Sequence, residues 1–171
     1  MLITPDYCRL MARYNAWQNH GLRRLIEPAS AEVLMQDRGA FFGSILGTLN
    51  HLVWADRVWL ARFQGATLPP GKIADSPHVR PTAAAWGAER VRTDARLTLW
   101  AGTLGADDLS GDLTWLSGAV GRAVSRQMDM LVVHMFNHQT HHRGQVHAML
   151  TAAGLRPQDT DLFLMPSSPE T

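Results

Sequence analysis

Apolar residues recur at helical spacing over four separate stretches of the chain, each bounded by residues that favour a helix end. In the first stretch, Thr4 is a candidate N-cap and Pro5 suits the first helical position. Gly154 is the natural stop of the last stretch. The pattern predicts helices at Pro5–Glu27, about Phe41–Phe63, Ala83 to about Leu104, and about Gln127–Ala153.

Two segments between these helices lack a regular period. Gly65–Pro81 carries four prolines and two glycines, which favours a long irregular connection. Ala106–Arg126 holds three glycines and predicts a loop, with a short hairpin that pairs Leu113–Leu116 with Val120–Val124. Because the four amphipathic helices can share one core, we expect a single all-α domain over residues 1–171, an up-and-down four-helix bundle with long connections.

The charge balance disfavours polyanionic partners. The 171 residues contain 16 Lys and Arg against 15 Asp and Glu, a formal net charge of +1, and 46% of them are hydrophobic. Strong nonspecific binding to DNA or to an anionic membrane needs clustered cations. We therefore expect neither nucleic acid nor a membrane as a partner. A core of this size also folds without a disulfide or a structural metal.

The sequence predicts a cytoplasmic location. Asp6, Arg9 and Arg13 interrupt the N-terminal region where a secretory signal needs an apolar stretch, and the chain has no run of about 18 apolar residues. Cys8 is the sole cysteine, which excludes an intrachain disulfide and fits a reducing compartment. We interpret Cys8 as a small buried hydrophobe rather than as a nucleophile.

Histidines are concentrated in the last predicted helix. Five of the eight lie between His134 and His147, and His138 and His142 are one helical turn apart. Two imidazoles at this spacing can reach one ion at about 2.0–2.1 Å, but such pairs are also common as ordinary hydrogen-bonding residues on a helix face. The segment from His138 to His142 resembles the HExxH motif of zinc proteases. Gln139 stands where the general base would be, which excludes that chemistry.

A third ligand for a metal must come from another helix. His51 is the natural candidate, because it lies on an otherwise apolar face between Leu49 and Leu52. Burying an imidazole there costs free energy that a partner must offset. A hydrogen bond within the core would offset that cost as well as a metal would. From the residues alone, both interpretations of His51 stay open.

Three stretches together resemble the DinB family of DinB/YfiT-like metalloenzymes: MARYNAWQN (11–19), FGSILGTLNHLVWADRVWLARF (42–63) and VVHMFNHQTHHRGQVHAML (132–150). The resemblance covers nearly the whole chain, and the run NHQTHHRGQ is its most specific part. It implies a four-helix bundle in which one histidine of the second helix and an HxxxH pair of the fourth hold a divalent metal. At the matching positions these ligands are His51, His138 and His142. Zinc or nickel is expected first and iron next, because imidazole suits all of them.

Residues near these ligands are candidates for supporting roles. His134 and His141 are alternative ligands, although helical geometry predicts that His141 flanks the site instead. Gly144 is interpreted as a small residue that permits close helix packing. Four polar residues either orient the imidazoles or make ordinary interhelical hydrogen bonds: Asn50, Asp56, Asn137 and Gln145.

Three neutral imidazoles would leave a divalent ion with open coordination positions, which is typical of catalytic rather than structural zinc. Such an ion can deprotonate a coordinated thiol or activate a water. The resemblance implies the first chemistry, because several relatives are thiol-dependent S-transferases that use a small thiol such as bacillithiol, mycothiol or glutathione. Hydrolysis of a small substrate is the alternative. The sequence assigns no residue a catalytic role.

A further hypothesis is that the protein is not an enzyme. The bundle would then bind metal for stability, or would present Trp54 and Trp59 as an interaction face. The resemblance also implies a homodimer. If the protein is an enzyme, we expect Gly65–Pro81 and Ala106–Arg126 to determine substrate specificity, because loops over a rigid site usually do so.

Overall fold

A computed structural model describes residues 2–167 and shows a mostly helical chain with a small antiparallel sheet. Within this range the α-helices are α1 (Pro5–Ile26), α2 (Ala31–Met35), α3 (Ile45–Phe63), α4 (Ala83–Thr103) and α5 (Met128–Ala152). The strands are β1 (Asp112–Ser117) and β2 (Arg122–Gln127). Short 3-10 helices lie at Ile73–His78, Asp107–Leu109 and Leu162–Leu164. Residue 1 and residues 168–171, the ends of the predicted domain, lie outside the described residues.

The long helices begin close to the predicted positions because their caps are encoded locally. Thr4 caps α1 by accepting a 3.3 Å hydrogen bond from the Tyr7 backbone N–H. Thr82 caps α4 in the same way, with a 3.1 Å bond from the Ala85 N–H. Gly154, with a φ of 77°, follows the end of α5 in the left-handed conformation that glycine adopts most easily.

The predicted start of the second long helix is wrong. α3 begins at Ile45 rather than at Phe41, because the Ser44 side chain caps it through a 3.0 Å hydrogen bond from the Gly47 N–H. Gly43, with a φ of 73°, turns the chain immediately before this cap. Helix α2 is missing from the prediction, since its five residues are too few to show a helical period.

The long helices pack in pairs around an apolar interior. α1 packs against α4, α3 packs against both α5 and α4, and α1 also contacts α5. One buried cluster contains Leu49 and Trp86, and a second contains Leu97 and Phe136. Cys8 belongs to the second cluster, and burial raises the pKa of its thiol to about 11. The interpretation of Cys8 as a small buried hydrophobe is therefore confirmed.

A buried network of charged and polar groups crosses the interior. Arg90 of α4 donates to Asp56 of α3 at 2.6 Å and forms an ion pair with Asp94 at 2.9 Å. Gln139 of α5 donates to the other carboxylate oxygen of Asp56 at 2.9 Å. Gln139, which stands where a zinc protease has its glutamate, thus joins α5 to α3.

The same network reaches the first helix. Asn15 and Asn19 of α1 each donate to Asp94 at 3.0 Å. Arg143 of α5 donates in turn to the side-chain oxygen of Asn15. Asn15, Asn19 and Arg143 are buried, so these bonds help to fix the relative positions of the helices that they join.

A hairpin precedes the last helix, as predicted, but its second strand spans Arg122–Gln127 rather than Val120–Val124. β1 and β2 pair antiparallel, with Trp115 opposite Val124 and Leu113 opposite Arg126. Trp115 also contacts Trp59 of α3, with ring centres 5.5 Å apart. The hairpin therefore packs against α3 and brings the segment between α4 and α5 beside that helix.

Candidate metal centre

Three imidazoles from two helices meet between α3 and α5. His51 comes from α3, and His138 and His142 come from successive turns of α5. One nitrogen of each ring lies within 4.8 Å of the others, and the Nε2 atoms of His51 and His138 are 3.2 Å apart. His51 and His142 are buried, and His138 is half-buried. The structure thus brings the three predicted ligands together, and we call them the three-histidine cluster.

Ser76 determines the tautomer of His51. Ser76 Oγ lies 2.9 Å from His51 Nδ1 and 2.6 Å from the carbonyl oxygen of Ile73. Because a carbonyl only accepts, the single hydroxyl proton of Ser76 is donated to Ile73, and Ser76 Oγ accepts the Nδ1–H of His51. The lone pair of His51 is therefore on Nε2, the nitrogen nearest His138. Ser76 lies in the connection between α3 and α4, which thus orients one candidate ligand.

Gln145 determines the tautomer of His142. Gln145 Oε1 lies 2.7 Å from His142 Nδ1, and its amide nitrogen lies 3.3 Å from His141 Nε2. An amide oxygen only accepts, so Nδ1 of His142 carries the proton and Nε2 carries the lone pair. Gln145 thus contacts an imidazole of the cluster, as predicted, and His141 flanks the cluster rather than joining it.

The surroundings keep the three rings neutral. Burial lowers the pKa of His51 to about 3, with a smaller contribution from His142. Burial and the neighbouring histidines lower the pKa of His138 to about 3, and burial also lowers the pKa of His142. Since neutral imidazole is the form that binds metals, these lone pairs are available at neutral pH.

The donor set fits a divalent metal. Two nitrogen ligands of a tetrahedral zinc, each bonded at about 2.0–2.1 Å, lie about 3.3 Å apart. The 3.2 Å between Nε2 of His51 and Nε2 of His138 matches that separation. Across the described part of the chain, no fourth His, Cys, Asp or Glu joins the cluster. A tetrahedral ion held there would therefore keep one position for an exchangeable ligand.

Phe42 packs directly on the cluster, and reasoning from the sequence missed it. Its ring stacks on His51 with ring centres 3.8 Å apart, and it contacts His142 at 5.4 Å. The residue lies in the irregular segment before α3, where no period assigns it to a face. Phe42 is the first residue of the stretch 42–63 that resembles the DinB family, and this position could have marked it as a candidate.

Two of the predicted supporting residues bond elsewhere. Asn50 donates to the carbonyl oxygens of Pro77 and Arg80, both at 2.8 Å, so it anchors the connection after α3. Asp56 accepts from Arg90 and belongs to the buried network. The interpretation as an interhelical hydrogen bond is therefore correct for Asp56, whereas Asn50 has a loop-anchoring role that was not predicted.

Three other positions on α5 lie outside the cluster. His134 is exposed and packs against Trp59, with ring centres 5.1 Å apart. Its nitrogen atoms do not belong to the three-histidine cluster. Asn137 is exposed. Gly144 is exposed as well, with no atom within 4 Å of where a β carbon would lie. The interpretation of Gly144 as a close-packing position is wrong, because α5 turns that position to solvent.

A cleft of about 1130 Å³ opens beside the cluster. His51 and His138 form part of its wall, together with Ile73 from the connection after α3 and residues 117–119 at the tip of the hairpin. Both segments predicted to determine specificity thus reach the cleft. Trp54 also lines it, but its Nε1 donates to the Pro70 carbonyl at 3.0 Å and the ring is 8% exposed. The chain itself covers most of Trp54, which argues against an interaction face at this residue.

The two partners that orient the imidazoles give a testable prediction. Ser76→Ala and Gln145→Leu are each expected to lower zinc affinity by about 10–100-fold, because loss of a hydrogen bond to a ligating histidine usually does so. The measurement is a competition titration with a chromophoric zinc chelator. Asn50→Ala is the matched control, since it removes a buried bond to the same connection without touching an imidazole. Equal losses in all three variants would refute the orienting role.

Three comparisons relate the chain to known proteins. A sequence model of the DinB family matches residues 3–170. Protein DinB of Bacillus subtilis (strain 168) is 26% identical over 164 residues, which cover 93% of this chain and 93% of that protein. A crystal structure of a DinB-like protein from Bacillus cereus ATCC 10987 aligns with a TM-score of 0.63 and 18% identity, over 84% of this chain and 90% of the other. The structural likeness supports the fold, and the family match extends over nearly the whole sequence.

Proposed function

The chain belongs to the DinB family, and from this premise we propose that it is a metal-dependent enzyme that activates a small thiol for transfer to an electrophile. His51, His138 and His142 would hold a divalent metal. The observation that carries the proposal is that two members of the three-histidine cluster, His51 and His138, lie in the wall of a large cleft. A site closed by four protein ligands favours a structural role, whereas three ligands beside a cleft favour catalysis.

A divalent metal bound there would lower the pKa of a coordinated substrate thiol, so that its sulfur would be a thiolate at neutral pH. The residues of the chain do the positioning. Ser76 and Gln145 each accept an Nδ1–H from a histidine, so that the Nε2 lone pairs remain directed at the cluster. In the reaction a carbon–sulfur bond forms at the electrophile, the leaving group departs with its bonding electrons, and the thiol proton passes to solvent.

The proposal includes the architecture and the setting. We propose that α1, α3, α4 and α5 form an up-and-down four-helix bundle, which their pairwise packing supports. Zinc or nickel is the proposed metal, followed by iron. The proposed substrate is a small molecule rather than nucleic acid or a membrane, and the proposed protein is a cytoplasmic homodimer. None of the helices found between residues 2 and 167 is both long and apolar enough to cross a membrane.

Thiol consumption tests this function directly. The zinc-loaded chain is mixed with glutathione, bacillithiol or mycothiol and with monochlorobimane as the electrophile. With at least one of these thiols, the conjugate is expected to form at least about 10-fold faster than with the metal-free chain, a lowering of the barrier by about 1.4 kcal/mol. His138→Ala is expected to remove this gain, because it deletes a ligand.

A second histidine of α5 provides the control. His147 lies outside the cluster and contacts the Gln158 carbonyl oxygen at 3.2 Å, so His147→Ala is expected to keep the zinc-dependent rate. If zinc accelerates none of the three thiols, the transferase proposal fails. If the zinc-loaded chain then hydrolyses an activated ester, the result would favour the hydrolase alternative. Bound zinc without either activity would favour a metal-stabilised interaction module.

A further inference from the structure

Arg62 lies in the wall of the cleft beside two indole rings, whose centres are 5.5 Å apart. Its guanidinium carbon is 4.7 Å from the centre of the Trp59 ring and 5.6 Å from the centre of the Trp115 ring. Trp59 belongs to the preceding turn of α3, and Trp115 comes from β1. A cation–π contact attracts the charge of the guanidinium without accepting its N–H hydrogen bonds, so N–H groups of Arg62 remain able to donate to another group.

Arg62 has no carboxylate partner, unlike the arginine at the centre of the fold. Arg90 pairs with Asp56 and Asp94. Over the described residues, no Asp or Glu forms an ion pair with Arg62, and its Nε is buried without a hydrogen-bond partner. Burial lowers the pKa of the Arg62 guanidinium, which remains protonated because arginine is intrinsically so basic. A shielded cation of this kind favours an anion that can reach it.

The charged residues of the cleft wall also favour an anionic ligand. The described residues of its wall include the cations Arg62 and Lys72 but no Asp or Glu. The rest of the wall is mainly aromatic and aliphatic, as at Leu68 and Val58. A cleft with cationic groups on an apolar surface favours a ligand that has an apolar body and a negative charge.

Arg62 and His51, the member of the three-histidine cluster that belongs to α3, lie along one face of that helix. Arg62 follows His51 on α3, and their separation of 11 residues places them within about 20° of one face and about 16 Å apart along the axis. The contact between Arg62 and Trp59 shows that the side chain leans toward the N-terminal end, where His51 lies. Ala55 and Val58 line the cleft between them. One elongated ligand can therefore reach both ends.

We propose that Arg62 binds the carboxylate of an elongated, largely apolar ligand that lies along α3 with its other end at the three-histidine cluster. The assignment of a thiol to that second end rests on the proposed function. The assignment of a carboxylate to the Arg62 end is independent of it, because Arg62 and its two indoles are present whether or not a metal is bound. Arg62 is thus a specificity-determining residue for an anionic substrate.

Two probe molecules, each measured with and without zinc, test the carboxylate end and the thiol end of this ligand independently. ω-Mercaptooctanoate and ω-mercaptooctanol share a thiol and a chain but differ in charge, and calorimetry measures their binding to the full chain with and without zinc. Both forms of the wild-type chain are expected to bind the acid at least about 10-fold more tightly than the alcohol, because a charge-assisted hydrogen bond is made to the acid alone. Zinc is expected to tighten both probes equally.

Variants of the two cations in the cleft identify the residue responsible. Arg62→Gln is expected to bring the acid-to-alcohol ratio close to one, and Arg62→Lys is expected to restore part of it. Lys72→Gln is the matched control and is expected to keep the wild-type ratio. A purely structural Arg62, which only fastens the hairpin to α3, would change the melting temperature in these variants but would leave the ratio unaltered.

Several results would overturn the proposal. These are an acid-to-alcohol ratio near one in the wild-type chain, a ratio retained in Arg62→Gln, a ratio lost in Lys72→Gln instead, and failure of both probes to bind. A different result would count against the metal function only. If zinc tightens neither probe while Arg62 still sets the ratio, the thiol–metal proposal fails and the carboxylate site stands.

Discussion

Replacing His138 with alanine is expected to lower the affinity of the chain for zinc by at least about 100-fold, since loss of even an indirect partner of a ligand lowers it by about 10–100-fold. His138 contacts both other imidazoles of the cluster. Its Nε2 lies 3.2 Å from that of His51, and its ring centre lies 4.4 Å from that of His142. Without His138, two imidazoles on different helices remain. Competition against a chromophoric chelator measures the change.

His134 provides a stringent control for this prediction. It lies one turn before His138 on α5, with ring centres 5.9 Å apart, yet its nitrogens are outside the cluster. His134→Ala is therefore expected to leave zinc affinity within about threefold of the parent, since it removes no ligand. Comparable losses in the two variants would mean that the ligand set has been assigned incorrectly. Circular dichroism confirms that each variant retains its helical content.

Arg90→Met is expected to lower the free energy of unfolding by about 3–5 kcal/mol, because removal of one partner from a buried ion pair leaves an uncompensated charge. Arg90 is 2% exposed and lies 2.6 Å from Asp56 and 2.9 Å from Asp94. Methionine has a similar length but no charge, so the buried carboxylate of Asp56 and the partly buried one of Asp94 would lose their shared cation. Urea denaturation followed by circular dichroism measures the difference.

The same helix offers an exposed arginine for comparison. Arg92 contacts Glu89 at 3.1 Å, and its side chain is 65% exposed. Arg92→Met is therefore expected to change the unfolding free energy by less than about 1 kcal/mol, as exposed ion pairs contribute little. If Arg90→Met has no larger effect than Arg92→Met, the buried network does not hold the helices together as described.

This network also bears on the metal centre. The candidate ligands come from α3 and α5, and Gln139, the neighbour of His138, donates to Asp56 on α3 at 2.9 Å. The bond fixes the side of α5 that faces α3 close to the ligands. A loss of zinc affinity in Arg90→Met would therefore follow from displacement of the helices rather than from loss of a ligand.

Local signals made most of the fold predictable. Thr4 and Thr82 cap their helices through side-chain oxygens that a sequence reveals directly. The His138–His142 pair was equally predictable, since one helix fixes the spacing of its own residues. His51 was different, because no period indicates which helix packs against α5. The resemblance to the DinB family supplied that pairing.

The features that sequence patterns could not predict lie in irregular segments or depend on them. Phe42 precedes the cap of α3, and Ser76 lies in a proline-rich connection, where no period assigns a direction to a side chain. Arg62 follows the helical pattern of α3, but its second indole comes from the hairpin. The helical scaffold and the ligand pair are thus local properties, whereas the partners that orient the ligands and shape the cleft are tertiary.

Metal content is the most direct test of the central claim that this chain holds a metal at His51, His138 and His142. The untagged full chain is purified without a metal-affinity column, and its zinc, nickel and iron are measured by plasma mass spectrometry together with protein concentration. The expected result is close to one divalent ion per chain, either as isolated or after incubation with zinc and dialysis. A chain that retains no metal after such incubation would contradict the claim, and with it the proposed chemistry of the cluster.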